Sequence, residues 1–277
     1  MQVGDWVPAG VDINAPNLAR AYDYLLGGGY NFPADRWMAE RAAQQRPNLP
    51  ATVRANRLFL QRAVRHAASA GVRQFLDLGS GMPTAGHVHH VAHEVEPAAR
   101  VVYVDVDPVA VAHGTAMLAS VYAAAMVLAD LRDPPAVFAA VPVRDLIDPA
   151  EPVAVLMVAV LHLLGGDDPA AVIGGYRDLV RSGSYLILSH PDPHDLPPAA
   201  NTAGHDAASQ RPPGTREEIT AWLHGWDLLP PGLTTVGAWH ANIPDPTGPD
   251  DPAVTDLAGV ARKTHPTATA TTPNRID

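Results

Sequence analysis

The feature that most constrains this chain is the run Phe75-Leu76-Asp77-Leu78-Gly79-Ser80-Gly81-Met82-Pro83-Thr84, an apolar stretch of strand length that breaks into a Gly-X-Gly turn ahead of a helical stretch. Glycines at such a turn let main chain approach a ligand at the carboxyl edge of a sheet. A dinucleotide fingerprint needs a third glycine where Thr84 stands, which weakens pyrophosphate recognition as a reading. At the end of a second apolar run, Val104-Asp105-Val106-Asp107-Pro108 places a carboxylate about 20 residues beyond the glycines, where ribose hydroxyls are accepted. Asp105 is the expected ribose ligand, with Asp107 beside it.

The turn also marks a change of period. From Gly71 onward, apolar runs at 74–78, 101–106, 152–161 and 184–189 alternate with helical stretches, which implies a parallel sheet flanked by helices. Upstream, Leu18, Ala21, Tyr22, Leu25 and Leu26 recur at helical spacing behind Asn14 as the candidate cap, and Gly27-Gly28-Gly29 must end that helix. An aromatic loop, Tyr30-Asn31-Phe32, follows, then helices expected over 34–45 and 52–70. Between Ser189 and Gly214 a segment rich in Pro, Ala, Asp and His reads as a loop or lid. Thr215 and Glu218 form a capping box that opens a helix through Leu223. Strand candidates at 234–239 and 259–263 suggest an antiparallel edge pair. The expected organisation is a helical cap over 1–70, a core over 71–264 with a substrate loop at 190–214, and a disordered tail over 265–277.

Lys plus Arg number 19 against 29 Asp plus Glu, a formal charge of −10, and Lys263 is the sole lysine. No polybasic tract exists for nucleic acid or lipid headgroups. The absence of cysteine excludes a disulfide framework, a thiolate nucleophile and cysteine-ligated zinc, and fits a reducing cytoplasm. The most apolar run, 153–161, falls short of the roughly 18 residues a membrane helix needs, and the first residues lack a secretory signal. The expectation is a cytoplasmic protein with a small-molecule partner; the oligomeric state is open, a homodimer included.

Asp77-X-Gly79-X-Gly81, Asp105 and the later Ala129-Asp130-Leu131-Arg132-Asp133-Pro134 together resemble the class I S-adenosylmethionine-dependent methyltransferase fold. The resemblance implies an α/β, Rossmann-like sheet of seven strands with an antiparallel C-terminal edge and an N-terminal helical cap. It implies that Asp77, Gly79 and Gly81 cradle the amino acid end of the cofactor, that Asp130 meets the adenine amine, and that Leu131 lies against the ring. Further segments, Ala19 to Gly28, Arg54-Ala55-Asn56-Arg57, Val158-Ala159-Val160-Leu161-His162 and Gly259 to Lys263 among them, resemble a bacterial family of small-molecule S-adenosylmethionine methyltransferases long catalogued as a domain of unknown function. Where most members carry Lys-Asp-Asn-Phe after the glycines, this chain has Gly29-Tyr30-Asn31-Phe32. Some relatives methylate indole C3 of tryptophan-derived cyclic dipeptides with pyrroloindoline closure, and an aromatic replacement suits that use.

Methyl transfer is an in-line displacement that needs alignment and exclusion of water. Arg20, Asn56 and Arg57 are candidates to hold the cofactor carboxylate. Tyr22, Tyr24, Tyr30, Phe32, His162 and His194 are candidates for the substrate wall. An indole acceptor needs a base near N1; His162 is the first choice, with His190, Asp192 and Tyr30 in reserve. An O- or N-methyltransferase of another secondary metabolite is the alternative. His87, His89, His90 and His93, with Glu94, and the His190 to Asp195 run support a rival metal-dependent hydrolase. The plainer reading, a tolerant helix face and an extended loop, assigns no metal. A cofactor-binding regulator without chemistry is a third possibility.

Overall fold

The computed structural model describes residues 7, 11–82, 86–192, 214–240 and 254–264. Among these residues eight strands, β1 (Gln74–Leu78), β2 (Arg100–Asp105), β3 (Ala124–Leu128), β4 (Ala154–Val158), β5 (Tyr185–His190), β6 (Trp226–Leu228), β7 (Thr234–Thr235) and β8 (Leu257–Lys263), form one sheet. Its order is β3-β2-β1-β4-β5-β8-β6, with β7 also pairing β8. Strands β1 to β5 run parallel, and β8 is antiparallel to β5, β6 and β7. The order reverses between β1 and β4, so their carboxyl ends diverge into a crevice.

Alternation along the strands builds two cores. Phe75, Val101, Tyr103, Leu156 and Ile187 face a layer containing α3 (Leu49–Ser69), α4 (Val88–Val95) and α5 (Pro108–Leu118). Leu76, Val102, Val104, Val155 and Leu186 face the opposite layer, with α6 (Pro134–Ala139), α7 (Val141–Leu146), α8 (Pro169–Leu179) and α9 (Arg216–Trp222). Phe59, Ala63, Val64 and Ala67 of α3 are fully buried in the first core, so this helix is part of the sheet sandwich. The helices α1 (Leu18–Leu25) and α2 (Pro33–Gln45) pack on each other ahead of it.

Local expectations hold where polar groups close a helix end. Thr215 N donates to Glu218 Oε2 (2.8 Å) and Glu218 N to Thr215 Oγ1 (3.2 Å), the capping box of α9. The cap of α1 is Asn17 rather than Asn14; Asn17 Oδ1 accepts from Ala19 N and Arg20 N, while Asn14 N donates to Asp12. The run 152–161 pairs only as far as Val158, because Ala159 takes a φ of +54° and turns the chain. The 234–239 run pairs over two residues only. Beyond them Arg62, itself buried, donates to the carbonyls of Trp239 (2.9 Å) and Val236 (2.6 Å), holding the Trp239 ring in the core. Two strands, β3 and β6, have no counterpart among the expected runs.

Candidate active site

A cavity of about 650 Å³ opens at the carboxyl ends of β1, β2 and β4 and is covered by residues of α1, α2 and α3. Of the residues singled out from sequence, Tyr22, Asn56, Arg57, Asp77, Gly79, Gly81, Asp105, Asp107, Asp130, Leu131 and His162 line it.

Gly79 follows β1 with a φ of +65°, and a Cβ there would collide with Val160 Cγ2. The left-handed backbone and the close approach both require glycine. Asp105 clasps the same turn: Oδ2 accepts from Gly81 N (2.7 Å) and Oδ1 from Asp107 N (2.8 Å). Burial raises its pKa, while these backbone N–H groups lower it. Asp107 caps α5 by accepting from Val109 N (2.9 Å). Burial, opposed by Arg57 and helped by Asp105, brings Asp77 to about 7. Asp130 is held by Arg132, whose Nη2 lies 2.5 Å from Oδ2, and that pairing lowers its pKa.

At the other end of the cavity, Ser189 Oγ accepts from Ala159 N (3.0 Å) and donates to Asn56 Oδ1 (2.5 Å). Asn56 Nδ2 in turn donates to Tyr22 Oη (3.0 Å), which donates to Val53 O (3.3 Å). This chain ties the β5 end to the covering helices. His162 lies in the short 3-10 turn Leu161–Leu163 just beyond β4. Its Nδ1 is buried without a hydrogen-bond partner, and burial, then His190 and Arg46, lower it to about 3.

Several expected site residues lie elsewhere. Arg20 does not line the cavity: its guanidinium binds Asp35 (2.9 Å), Asp107 (3.4 Å) and the Ala15 carbonyl (2.9 Å). Tyr24 points away and bonds Glu40 (2.8 Å). Tyr30 is exposed and packs on His113, with ring centroids 3.6 Å apart. Phe32 is buried beneath Arg20. His190 stands behind His162, ring centroids 5.8 Å apart, and neither it nor Asp192 lines the cavity. His194 lies outside the described residues.

The histidines of α4 have structural partners. His89 Nδ1 is 2.8 Å from Tyr103 Oη and His93 Nε2 is 2.8 Å from Ala99 O. Burial lowers both His87 and His89 to about 4. Among the described residues no group of three His, Asp or Glu side chains is arranged to hold a metal ion, and no helix is long and apolar enough to cross a membrane.

Sequence reading missed part of the lining. Arg46 and Asp256 form a buried ion pair (2.8 Å) at the wall, joining residues 210 apart, and no local signal marks such a pair. Val160 and the largely exposed Val106 also line it, as does Asp23. Val106, between two noted aspartates, was legible as an apolar side chain at a strand end.

The residues present fit S-adenosylmethionine. Gly79 and Gly81 leave main chain open to the cavity, Asp77 offers a carboxylate, and Arg57 Nε is a buried donor without a hydrogen-bond partner. That nitrogen is able to donate to an anion such as the cofactor carboxylate.

Comparison with known proteins agrees. The model of a family described as S-adenosyl methyltransferase matches residues 4–264. A candidate methyltransferase from Thermobifida fusca YX is 38% identical, with 94% of this chain and 99% of that chain covered and a TM-score of 0.80. A DUF574 family protein from Streptomyces avermitilis MA-4680 is 34% identical, with 91% and 100% covered and a TM-score of 0.80. No curated protein matches the chain.

Proposed function

The chain belongs to the S-adenosyl methyltransferase family and is an S-adenosylmethionine-dependent methyltransferase, and on that premise we propose that it methylates a small aromatic acceptor, with indole C3 as the acceptor atom. When bound, S-adenosylmethionine supplies an electrophilic methyl group. Arg57 holds the cofactor carboxylate, Asp77 faces its cationic end, Asp105 accepts from the ribose hydroxyls, and Val106 and Leu131 flank the adenine. Asp130 reaches the adenine amine only by sharing its carboxylate with Arg132. The wall of Leu25, Met38, Leu49 and Val53 would keep water from the transferred methyl group.

The observation that carries the acceptor reading is His162. An imidazole lowered to about 3 stays neutral through the physiological range and takes a proton only from a strongly acidic group. The N1 proton of an indole that has gained a methyl at C3 is such a group. His162 Nδ1, unpartnered at the cavity, accepts that proton. The motive from the Tyr30 loop no longer supports this reading, since that ring packs on His113.

The test is mass spectrometry of products from a tryptophan-containing cyclic dipeptide, with His162→Ala alongside. C3 methylation with turnover reduced about a hundredfold in the variant, and unchanged affinity for S-adenosylhomocysteine, is the expected result. Methylation at nitrogen or oxygen, or full turnover in the variant, would remove the acceptor and the base respectively.

A further inference from the structure

Asp23 is a charged group at the cavity to which the sequence motifs give no part. It sits near the end of α1, is 1% exposed, and lines the cavity beside Tyr22. Its two oxygens do different things. Oδ2 accepts from Tyr30 N (2.9 Å) and Asn31 Nδ2 (2.8 Å), fixing the loop after the glycines. Oδ1 is buried and has no hydrogen-bond partner. The loop is shaped around this carboxyl, because a Cβ on Gly28 would overlap it.

A carboxylate whose only task was to hold the loop would not leave one oxygen buried and unbonded, since unmet acceptors are rare in folded proteins. Apart from His162 Nδ1 at the end of β4, the covering helices α1 and α3 present to the cavity two orphaned atoms of opposite kind, the acceptor Asp23 Oδ1 and the donor Arg57 Nε. The two side chains sense each other electrostatically, and Arg57 senses Asp77 as well. The aminoacyl end of the cofactor is itself a pair of opposite charges on one carbon, a carboxylate and an ammonium. A carboxylate pairs with a guanidinium donor and an ammonium with a carboxylate acceptor.

We propose that Asp23 Oδ1 accepts a hydrogen bond from the α-ammonium of the bound cofactor, completing with Arg57 a two-charge clamp on its aminoacyl end. The inference rests on the cofactor placement given under Proposed function. Asp23 is a binding residue in this role, and it joins the cofactor to the covering helix α1 through the side chain that orders the Tyr30–Asn31 turn.

The experiment is calorimetric titration of S-adenosylhomocysteine and of 5′-methylthioadenosine, which keeps the nucleoside and sulfur but lacks the aminoacyl group. Wild type, Asp23→Asn, Gly28→Ala and Asp105→Ala are compared. Asp23→Asn is expected to weaken S-adenosylhomocysteine by about tenfold or more while leaving methylthioadenosine within about twofold. Gly28→Ala, which keeps the carboxylate but displaces it, shows the same selectivity and serves if Asp23→Asn does not fold. Equal loss for both ligands would make Asp23 a loop-holding residue only, and no loss for either would leave its Oδ1 without a role; each overturns the proposal. Asp105→Ala is expected to weaken both ligands. Unchanged methylthioadenosine binding there would instead overturn the cofactor placement.

Discussion

The half of the cavity at the ends of β1, β2 and β3 is lined from short stretches, each a strand end and the turn that follows it: Asp77 with Gly79 and Gly81, Asp105 with Asp107, Asp130 with Leu131. The half beneath α1 to α3 is assembled from partners far apart in sequence, Arg46 with Asp256 and Asn56 with Ser189. In the first half, main chain at the sheet edge does the positioning, and a glycine or an aspartate needs only its neighbours to be in place. In the second, every polar group depends on helices docking correctly onto the sheet. The first half is closed by local geometry, and the second, which also carries the proposed Asp23 and Arg57 clamp, depends on how the helices dock.

The sharpest way to break this division is at the ion pair. Arg46→Met removes the buried charge that pairs with Asp256 and is expected to cost about 3 kcal/mol of stability, read as a lowered midpoint in denaturant. Methylthioadenosine binding, which engages only the nucleoside end, should be retained under conditions where the variant is folded. Asp105→Ala acts on the other half. It removes the expected ribose acceptor and the clasp on Gly81 N, and a loss of about 2 to 3 kcal/mol in affinity for S-adenosylhomocysteine follows from losing charge-assisted hydrogen bonds. Titration calorimetry checks it, and an affinity equal to wild type would mean the strand-end carboxylate does not define that half.

Asp77 gives a smaller and pH-dependent effect. Burial raises its pKa to about 7, so the folded protein keeps a proton that an unfolded chain has released near pH 4. Its favourable contribution to stability is full in acid and is lost as pH rises through 7. A cationic ligand prefers the ionised form, so cofactor affinity moves the opposite way, about tenfold weaker at pH 6 than at pH 8. Asp77→Asn is expected to abolish that dependence and to stabilise the ligand-free protein at pH 8 by about 1 kcal/mol or more. Parallel thermal melts and titrations at the two pH values report both. The smallest expected effect is Val106→Ala, about 1 kcal/mol in nucleoside affinity from lost apolar contact, with stability unchanged because the side chain is 62% exposed.

The aromatic residues show why one region was read well and the other poorly. Tyr22 and Tyr24 are two positions apart on a helix and cannot share a face, so with Tyr22 in the cavity, Tyr24 must turn to Glu40. Sequence offers both as wall residues and gives no rotation for α1. Phe32 went into the core beneath Arg20, and Arg20 itself was taken by Asp35 and Asp107. The Asp35 carboxylate that captures it lies 15 residues away across a glycine-broken loop, a pairing that exists only once α1 and α2 pack. Strand β3, Ala-Ala-Met-Val-Leu, carries a single β-branched residue and so gives a weak strand signal, and β6 is only three residues long.

By itself the sequence determined the parallel sheet, the glycine turn after β1 and the carboxylates at the ends of β1 and β2, because strand periodicity, left-handed glycine geometry and helix caps are decided within a few residues. Tertiary structure alone decided which helix faces cover the cavity, which of the many polar side chains keep an unmet hydrogen bond there, and that Arg46 meets Asp256. Those outcomes depend on burial and on partners brought together only by docking helices onto the sheet, and burial is a property of the packed whole rather than of any segment.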